Sequence, residues 1–381
     1  MMRKMPISLL RTGMILGKAV TGPDGQLWLN AGVELRSNYI SALWRTGMSY
    51  VYIKDPLLDD INVPEAVSEE TRRQAVKSLK AILHTSKKGD PVRGSLLLDQ
   101  RFSDTVEKMV QEVLANKDVV VNLADIRNAD DYTFYHSINV CILSLLSGVE
   151  LNLSRTRMEG LAAGALLHDM GKVWIDDSIL NKKGSLTPEE YAEIKKHPSF
   201  GYEILSNQKN ITEETVTIVA QHHERCDGSG YPYKRAKDDI HPFARLVMVA
   251  DVYDALTSVR PYRDSLQPHQ AIEMIMASGD AYDREMTRLF LKHVAAYPVG
   301  TGVRLSNGDL GIVVLNRKGI PLRPVVRICK DGDGATYQPF DFDLSERLDM
   351  VISDVLTDVQ LAEEFPIHVT SGKDVKKWPL V

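Results

Sequence analysis

The chain has 381 residues, 44% of them hydrophobic and 25% charged, with a formal net charge of -5. That length suits two or three domains with a full-sized core, and the negative balance argues against a general DNA or RNA binder while allowing local positive charge at a phosphate site. Three scattered cysteines, Cys141, Cys226 and Cys329, read as reduced thiols rather than a disulfide framework. No apolar run reaches the ~20 residues that cross a bilayer, and the start of the chain lacks the apolar core of a signal peptide, so the expected setting is cytoplasmic, away from any membrane.

In chain order, residues 1–55 read as a small α/β module. Strand-like runs at Met14–Leu16, Gln26–Leu29 and Tyr50–Ile53 surround a turn at Gly22-Pro23-Asp24-Gly25. A helix is predicted from Ser37, read as its N-cap. Residues 56–118 are read as linker and connecting helices: Asp55 to Pro64 is rich in turn formers, and Ser68 opens a helix with Glu69 and Glu70 in its first turn. After a loop at Lys87–Pro91, Leu98, Phe102, Val106, Met109, Val110, Val113 and Leu114 recur at helical spacing. Packing of these faces within the chain is the default reading and a homodimer the sharper one. Residues 119–295 form the predicted helical core. Short strands follow at Gly302–Leu305, Leu310–Leu315 and Pro324–Ile328, with Ser306-Asn307-Gly308-Asp309 as a hairpin turn, making a β appendage over 296–350. Residues 351–381 are read as a tail, loosely ordered from about Val359.

Chemistry concentrates in the core. An apolar helical run, Gly160–Leu167, ends on His168-Asp169-Met170-Gly171-Lys172. There Gly171 permits a turn that brings Lys172 back beside the adjacent imidazole and carboxylate. Alone, a His-Asp pair is a polar helix end, but four more histidines lie between Arg101 and Ile240. His136 precedes an apolar helix, His197 closes a helix stopped by Pro198, and His222 and His223 close another that starts near Glu213. Asp251 sits in the apolar helix Arg245–Asp251, an expensive place for a carboxylate without a cation. Seven candidate ligands on five helices exceed the needs of one ion, and imidazole with carboxylate favours first-row transition metals.

These motifs resemble the HD-GYP phosphodiesterases, a branch of the HD metallohydrolases that hydrolyse cyclic di-GMP. The resemblance is carried by His168–Lys172, by His197-Pro198 with Gly201–Leu205, and by His222–Pro232. Ala250–Thr257 and Arg260-Pro261-Tyr262-Arg263 complete it, over roughly residues 120–295. It implies a mainly α fold, an HD-type helical bundle between the α/β module and the β appendage, the module looking like an N-terminal domain of unknown function found in some members. It further implies two divalent ions, iron or manganese, held by His136, His168, Asp169, His197, His222, His223 and Asp251, with Asp169 bridging and Lys172 facing a phosphate oxygen. The product would be pGpG, GMP or both, by attack of a hydroxide shared by the ions.

Gly228 and Gly230 would let backbone approach the ligand, Pro232 would stiffen the loop, and Tyr231 would offer a hydroxyl or a ring face. Arg260 and Arg263 would suit the second phosphate or a guanine edge, or equally pair with Asp264 or Glu273 in water. Some members place a glutamate four residues before the first metal histidine to help hold a third ion; here that position is Tyr132, and Asp130 and Asp131 are turned away by ~100–200° on a helix. Two ions are therefore expected. The alternatives are a catalytically silent module that binds cyclic di-GMP or a protein, and a hydrolase of another cyclic dinucleotide such as cyclic GMP-AMP. Signalling proteins such as diguanylate cyclases are the partner class left open.

Overall fold

A computed structural model describes every residue except 1, 23–25, 49, 88–99, 122–131, 183, 209, 259–264 and 368–381. Contacts among the described residues divide the chain into two units, one made by residues 2–63 and 297–367, the other by residues 64–121 and 132–296.

The first unit opens with β1 (Met2–Pro6), β2 (Val20–Thr21), β3 (Leu27–Leu29), α1 (Ser37–Arg45) and β4 (Tyr50–Lys54). β1 and β4 pair antiparallel with Met2 opposite Lys54, and β2 pairs with β3. The pairing of β1 is absent from the sequence reading, because a five-residue strand with adjacent Arg3 and Lys4 and a closing Pro6 carries little apolar signal. Met14–Leu16 makes only isolated bridges, to Glu34 and Ile53. Ser37 is the first helical residue rather than the cap; Arg36 holds the cap position and no side chain closes it.

The second unit is helical: α2 (Glu69–Lys87), α3 (Gln100–Ala115), α4 (Tyr132–Glu150), α5 (Arg155–Leu167), α6 (Asp177–Leu180), α7 (Pro188–Ile194), α8 (His197–Ser206), α9 (Glu213–Gln221), α10 (Pro242–Thr257), α11 (Pro268–Ala277) and α12 (Arg284–Leu291). Ser68 caps α2 by accepting from Thr71 N at 3.3 Å, as its sequence predicts. Phe102, Val106, Met109, Val110 and Val113 of α3 are buried, whereas Leu114 is exposed. α2 and α3 pack on each other, α3 on α4 and α5, and α2 on α4. Residues 160–167 of α5 are buried all round, the signature of a helix enclosed by others; α4 lies on one side of it and α9 on another. Small residues permit this approach: a Cβ on Gly164 would meet Ile218 Cδ1 at 2.5 Å. α10 packs on α4 and α9, and α8 on α9.

The chain then returns to the first unit with β5 (Gly302–Leu305), β6 (Leu310–Leu315), β7 (Val325–Lys330), β8 (Thr336–Asp343), β9 (Ile352–Val355) and α13 (Asp358–Glu364). The strands form one antiparallel sheet in the order β8-β7-β6-β5-β9. The expectation of loose order from Val359 fails over α13, which Thr357 and Gln360 close with reciprocal capping bonds. Nor is the stretch after Asp55 merely a linker, since Leu58 is buried with Leu310, Ile312, Leu356 and Phe365 in one apolar cluster. A buried ion pair joins the ends of the unit. Arg3 Nε donates to Asp55 Oδ2 at 2.6 Å and its Nη1 to Phe365 O at 2.6 Å, just past the end of α13, where orphan carbonyls accept a cation's protons. Substituting Asp55→Ala leaves that guanidinium buried without its counter-charge and is expected to destabilise this unit by about 3–5 kcal/mol, read by urea unfolding.

Candidate metal centre

The five helices expected to carry ligands do converge. His136 lies inside α4, one turn from its start, rather than ahead of the helix. His168 is the C-cap of α5, with Asp169 next. His222 is the C-cap of α9, with His223 next, and Asp251 is buried in α10. His197 differs from the sequence reading: α7 has already ended at Ile194, and His197 begins α8, with Pro198 in the first turn, where its missing N–H does no harm.

Ligand atoms of Asp169, His197, His222 and His223 lie within 4.8 Å of one another, and so do those of His136, His168 and Asp251. Asp169 stands between the two groups. Its Oδ1 is 3.4 Å from His197 Nε2 and 3.9 Å from His222 Nε2, while its Oδ2 is 3.5 Å from His168 Nε2 and 3.9 Å from His136 Nε2. One carboxylate thus offers an oxygen to each side.

Hydrogen bonds on the far side of the rings decide what the near side presents. His168 Nδ1 faces Ala165 O at 2.8 Å, His197 Nδ1 faces Ile194 O at 2.8 Å, and His222 Nδ1 faces Val219 O at 2.9 Å. A carbonyl only accepts, so Nδ1 is the protonated nitrogen and Nε2 carries a lone pair in all three. The Nε2 atoms of His197 and His222 are 3.1 Å apart. Two lone pairs at that separation repel, and a cation between them is the natural complement. His168 Nε2 and Asp169 Oδ1 are buried without a hydrogen-bond partner. Buried polar atoms are seldom left so, and here the donor set fits divalent transition-metal ions.

Charge follows the same logic. Burial, then Lys172, pushes His197 down to about 3. Burial pushes His223 down to about 4 and holds His168 and His222 below the usual imidazole range. For Asp169 burial alone would raise the carboxyl, but Lys172 and the surrounding imidazoles hold it well below the usual range. Asp251 is likewise held low against its burial by His136 and His223. His136 is the exception. Burial opposes its charge, yet hydrogen bonds to Asp251 and Asp254 raise it to about 9. Lys172 Nζ donates to Asp169 Oδ2 at 2.6 Å, so its first partner is the carboxylate.

Gly171 serves a purpose other than the turn it was read for. A Cβ there would meet His197 O at 1.9 Å and Gly201 N at 2.5 Å. The backbone after His-Asp lies directly on α8, and that contact brings His197 to Asp169.

Two further buried acids beside the site carried no role in the sequence reading. Asp254, one turn after Asp251 and fully buried, faces His136 Nδ1 with Oδ2 at 2.7 Å. Its i+3 spacing from Asp251 in an apolar helix was the available signal. Glu224, also fully buried, accepts from Tyr233 N at 2.7 Å and Arg235 N at 2.9 Å, tying down the loop that carries Gly228, Gly230, Tyr231 and Pro232. Of these, Gly228 has a φ of 79°. Gly230 is needed for chain-to-chain rather than chain-to-ligand approach: a Cβ would meet Arg225 N at 2.3 Å. Tyr231 stacks on His223 with ring centroids 4.7 Å apart, at the edge of the four-residue group, and is followed by Pro232. Arg260 and Arg263 lie outside the described residues, as do Asp130 and Asp131.

Residues 108–286 match a family model described as HD domain, and residues 302–364 one described as KOW domain associated with HD domain. The chain is 31% identical over 353 residues, 86% of its length and 85% of the relative's, to cyclic di-GMP phosphodiesterase PA4108 of Pseudomonas aeruginosa. It is 43% identical over 136 residues, 35% of this chain and 36% of the other, to cyclic di-GMP phosphodiesterase response regulator RpfG of Xanthomonas campestris pv. campestris. It is also 35% identical over 193 residues, 50% and 37% of the two chains, to 3'3'-cGAMP-specific phosphodiesterase 2 of Vibrio cholerae.

Gly171→Ala must push α8 away, and is expected to destabilise the protein by about 1–3 kcal/mol and to reduce the ions bound per chain, measured by thermal unfolding and metal analysis. Ion binding at the group containing His136 has to displace a proton held up to about 9. Its affinity therefore rises from pH 7 toward that value, while the other group, with imidazoles already neutral, stays flat. Calorimetric titration in buffers of different ionisation enthalpy reads the released protons.

Proposed function

The chain belongs to the HD-GYP family of HD-domain proteins, and from that membership we infer that it is a metal-dependent phosphodiesterase acting on cyclic di-GMP. The single observation that supports the reading most is the pair of ligand groups sharing Asp169, with lone pairs turned inward and no proton between His197 and His222 to reconcile them. In this reading Asp169, His197, His222 and His223 would hold one ion, and His136, His168 and Asp251 would hold the other, with Asp169 offering an oxygen to each group. Mixed imidazole and carboxylate donors suit iron or manganese. Bound divalent ions supply the Lewis acidity and the lowered water pKa that let a phosphodiester be attacked at neutral pH.

The protein's own groups place the substrate and manage charge. Lys172, with its side chain 30% exposed, reaches from Asp169 toward solvent and can turn its ammonium to a non-bridging phosphate oxygen as negative charge builds there. Burial raises the Tyr231 hydroxyl, so it stays protonated and acts as a donor. Its ring is held flat against His223, leaving the hydroxyl as the adjustable part. The bond from Glu224 keeps the loop from moving away when the substrate enters. Arg260 and Arg263 are assigned, on resemblance, to the second phosphate or a guanine edge.

Similarity to a cyclic GMP-AMP enzyme makes that dinucleotide the second substrate to try. The test is anaerobic loading with iron or manganese, followed by metal analysis and by turnover of cyclic di-GMP, cyclic GMP-AMP and a generic phosphodiester, with pGpG and GMP resolved as products. Preferred hydrolysis of cyclic di-GMP with two ions per chain is the expected result. Full occupancy without turnover would leave a binding module instead. Asp169→Asn is expected to abolish activity, and Lys172→Ala to lower kcat by about 10²–10³-fold with the ions retained.

A further inference from the structure

Arg72 is buried in α2, ahead of the residues that match the HD-domain model. Its Nη1 donates to Asn139 Oδ1 at 3.2 Å, and Asn139 Nδ2 donates to Asp254 Oδ1 at 2.8 Å. The other oxygen of Asp254 faces His136 Nδ1 at 2.7 Å and accepts from Ser258 Oγ at 3.1 Å. On the opposite edge of the ring, His136 Nε2 lies 3.1 Å from Asp251 Oδ1. Every member of this series is buried.

A guanidinium can only donate and a carboxylate can only accept. The Asn139 side chain stands between one of each, so its orientation is dictated from both ends: oxygen toward Arg72, amide N–H toward Asp254. We propose that Arg72 is a positioning residue for the metal centre, acting through Asn139 and Asp254 to hold His136 with Nδ1 protonated and Nε2 turned to the ion it would share with His168 and Asp251. Among the described residues the guanidinium is the group that donates to Asn139 Oδ1, so its removal leaves reversal of the amide unopposed there. Its oxygen would then face the Asp254 carboxylate, and the acid would lose a donor. His136 would in turn lose the rigid acceptor that aims it. The inference rests on the metal-centre reading above and extends it to a helix outside the motifs.

The test is made on the full chain by competition with a chromophoric chelator, which reads ion affinity without substrate. Arg72→Met is expected to weaken the ion held by His136, His168 and Asp251 by about 10–100-fold, the range seen when the outer partner of a ligating imidazole is lost, and to leave the ion of the Asp169 group unchanged. Arg72→Lys keeps a donor-only cation and restores most of the affinity. Asn139→Leu gives the same loss as Arg72→Met, and the double substitution adds nothing further. Leu79→Ala, which loosens α2 at a buried apolar position about two turns beyond Arg72, lowers thermal stability but not affinity. If Arg72→Met fails to fold, Asn139→Leu carries the test alone with the same expected loss. Parent-like affinity for both ions, additive losses in the double variant, or an equal loss in Leu79→Ala would overturn the proposal. A parent chain that takes up fewer than two ions would instead overturn the metal-centre reading on which it stands.

Discussion

Two imidazole nitrogens facing each other at 3.1 Å, each with its ring proton committed elsewhere, set the terms for the rest of the site. In water such a contact would relax by turning one ring over. Here the carbonyls of Ile194 and Val219 hold both rings, and burial denies them solvent. The repulsion is built in, and so are the negative oxygens of Asp169 beside it. Only a positive charge at that place satisfies both, which is why a cluster so costly to bury persists inside an apolar helical unit.

Much of this was legible in the sequence, and the reason is chemical. Metal-ligating residue types are rare in apolar helices, so His168-Asp169, His222-His223 and Asp251 stand out against the leucines and alanines around them. What periodicity could not supply was which end of which helix a residue occupies. Pro198 reads equally as a stop or as a first turn, and only packing of the 3-10 turn Met170–Trp174 on α8 decides for the second. The role of Gly171 was missed for a related reason: a glycine that permits close approach looks the same in sequence as one that permits a turn. Asp254 and Glu224 were harder still. Neither touches the place where the ions would sit, and their work lies in bonds to His136 and to loop amides that no spacing rule encodes.

The first unit shows the limit of local reading from another side. Alternation and turn residues mark β5, β6 and β7 as strands. They cannot reveal that Leu58 shares a cluster with Phe365, or that Arg3 pairs with Asp55 beneath the end of α13. Contacts across more than 300 residues leave no periodic trace in the sequence. Strand β8 is exposed over its first six residues and carries Pro339, and β9 has only four residues, so neither stood out as a strand.

The carbonyls of Ala165, Ile194 and Val219 all belong to the last turn of a helix, where no further amide arrives to meet them. By donating to them, His168, His197 and His222 finish three helices in the same act that fixes their own tautomers. The capping bonds involve no ion, so they would hold the receptive nitrogens in place whether or not one is bound. Loading such a centre would therefore not require the helices that frame it to unwind or their rings to turn over.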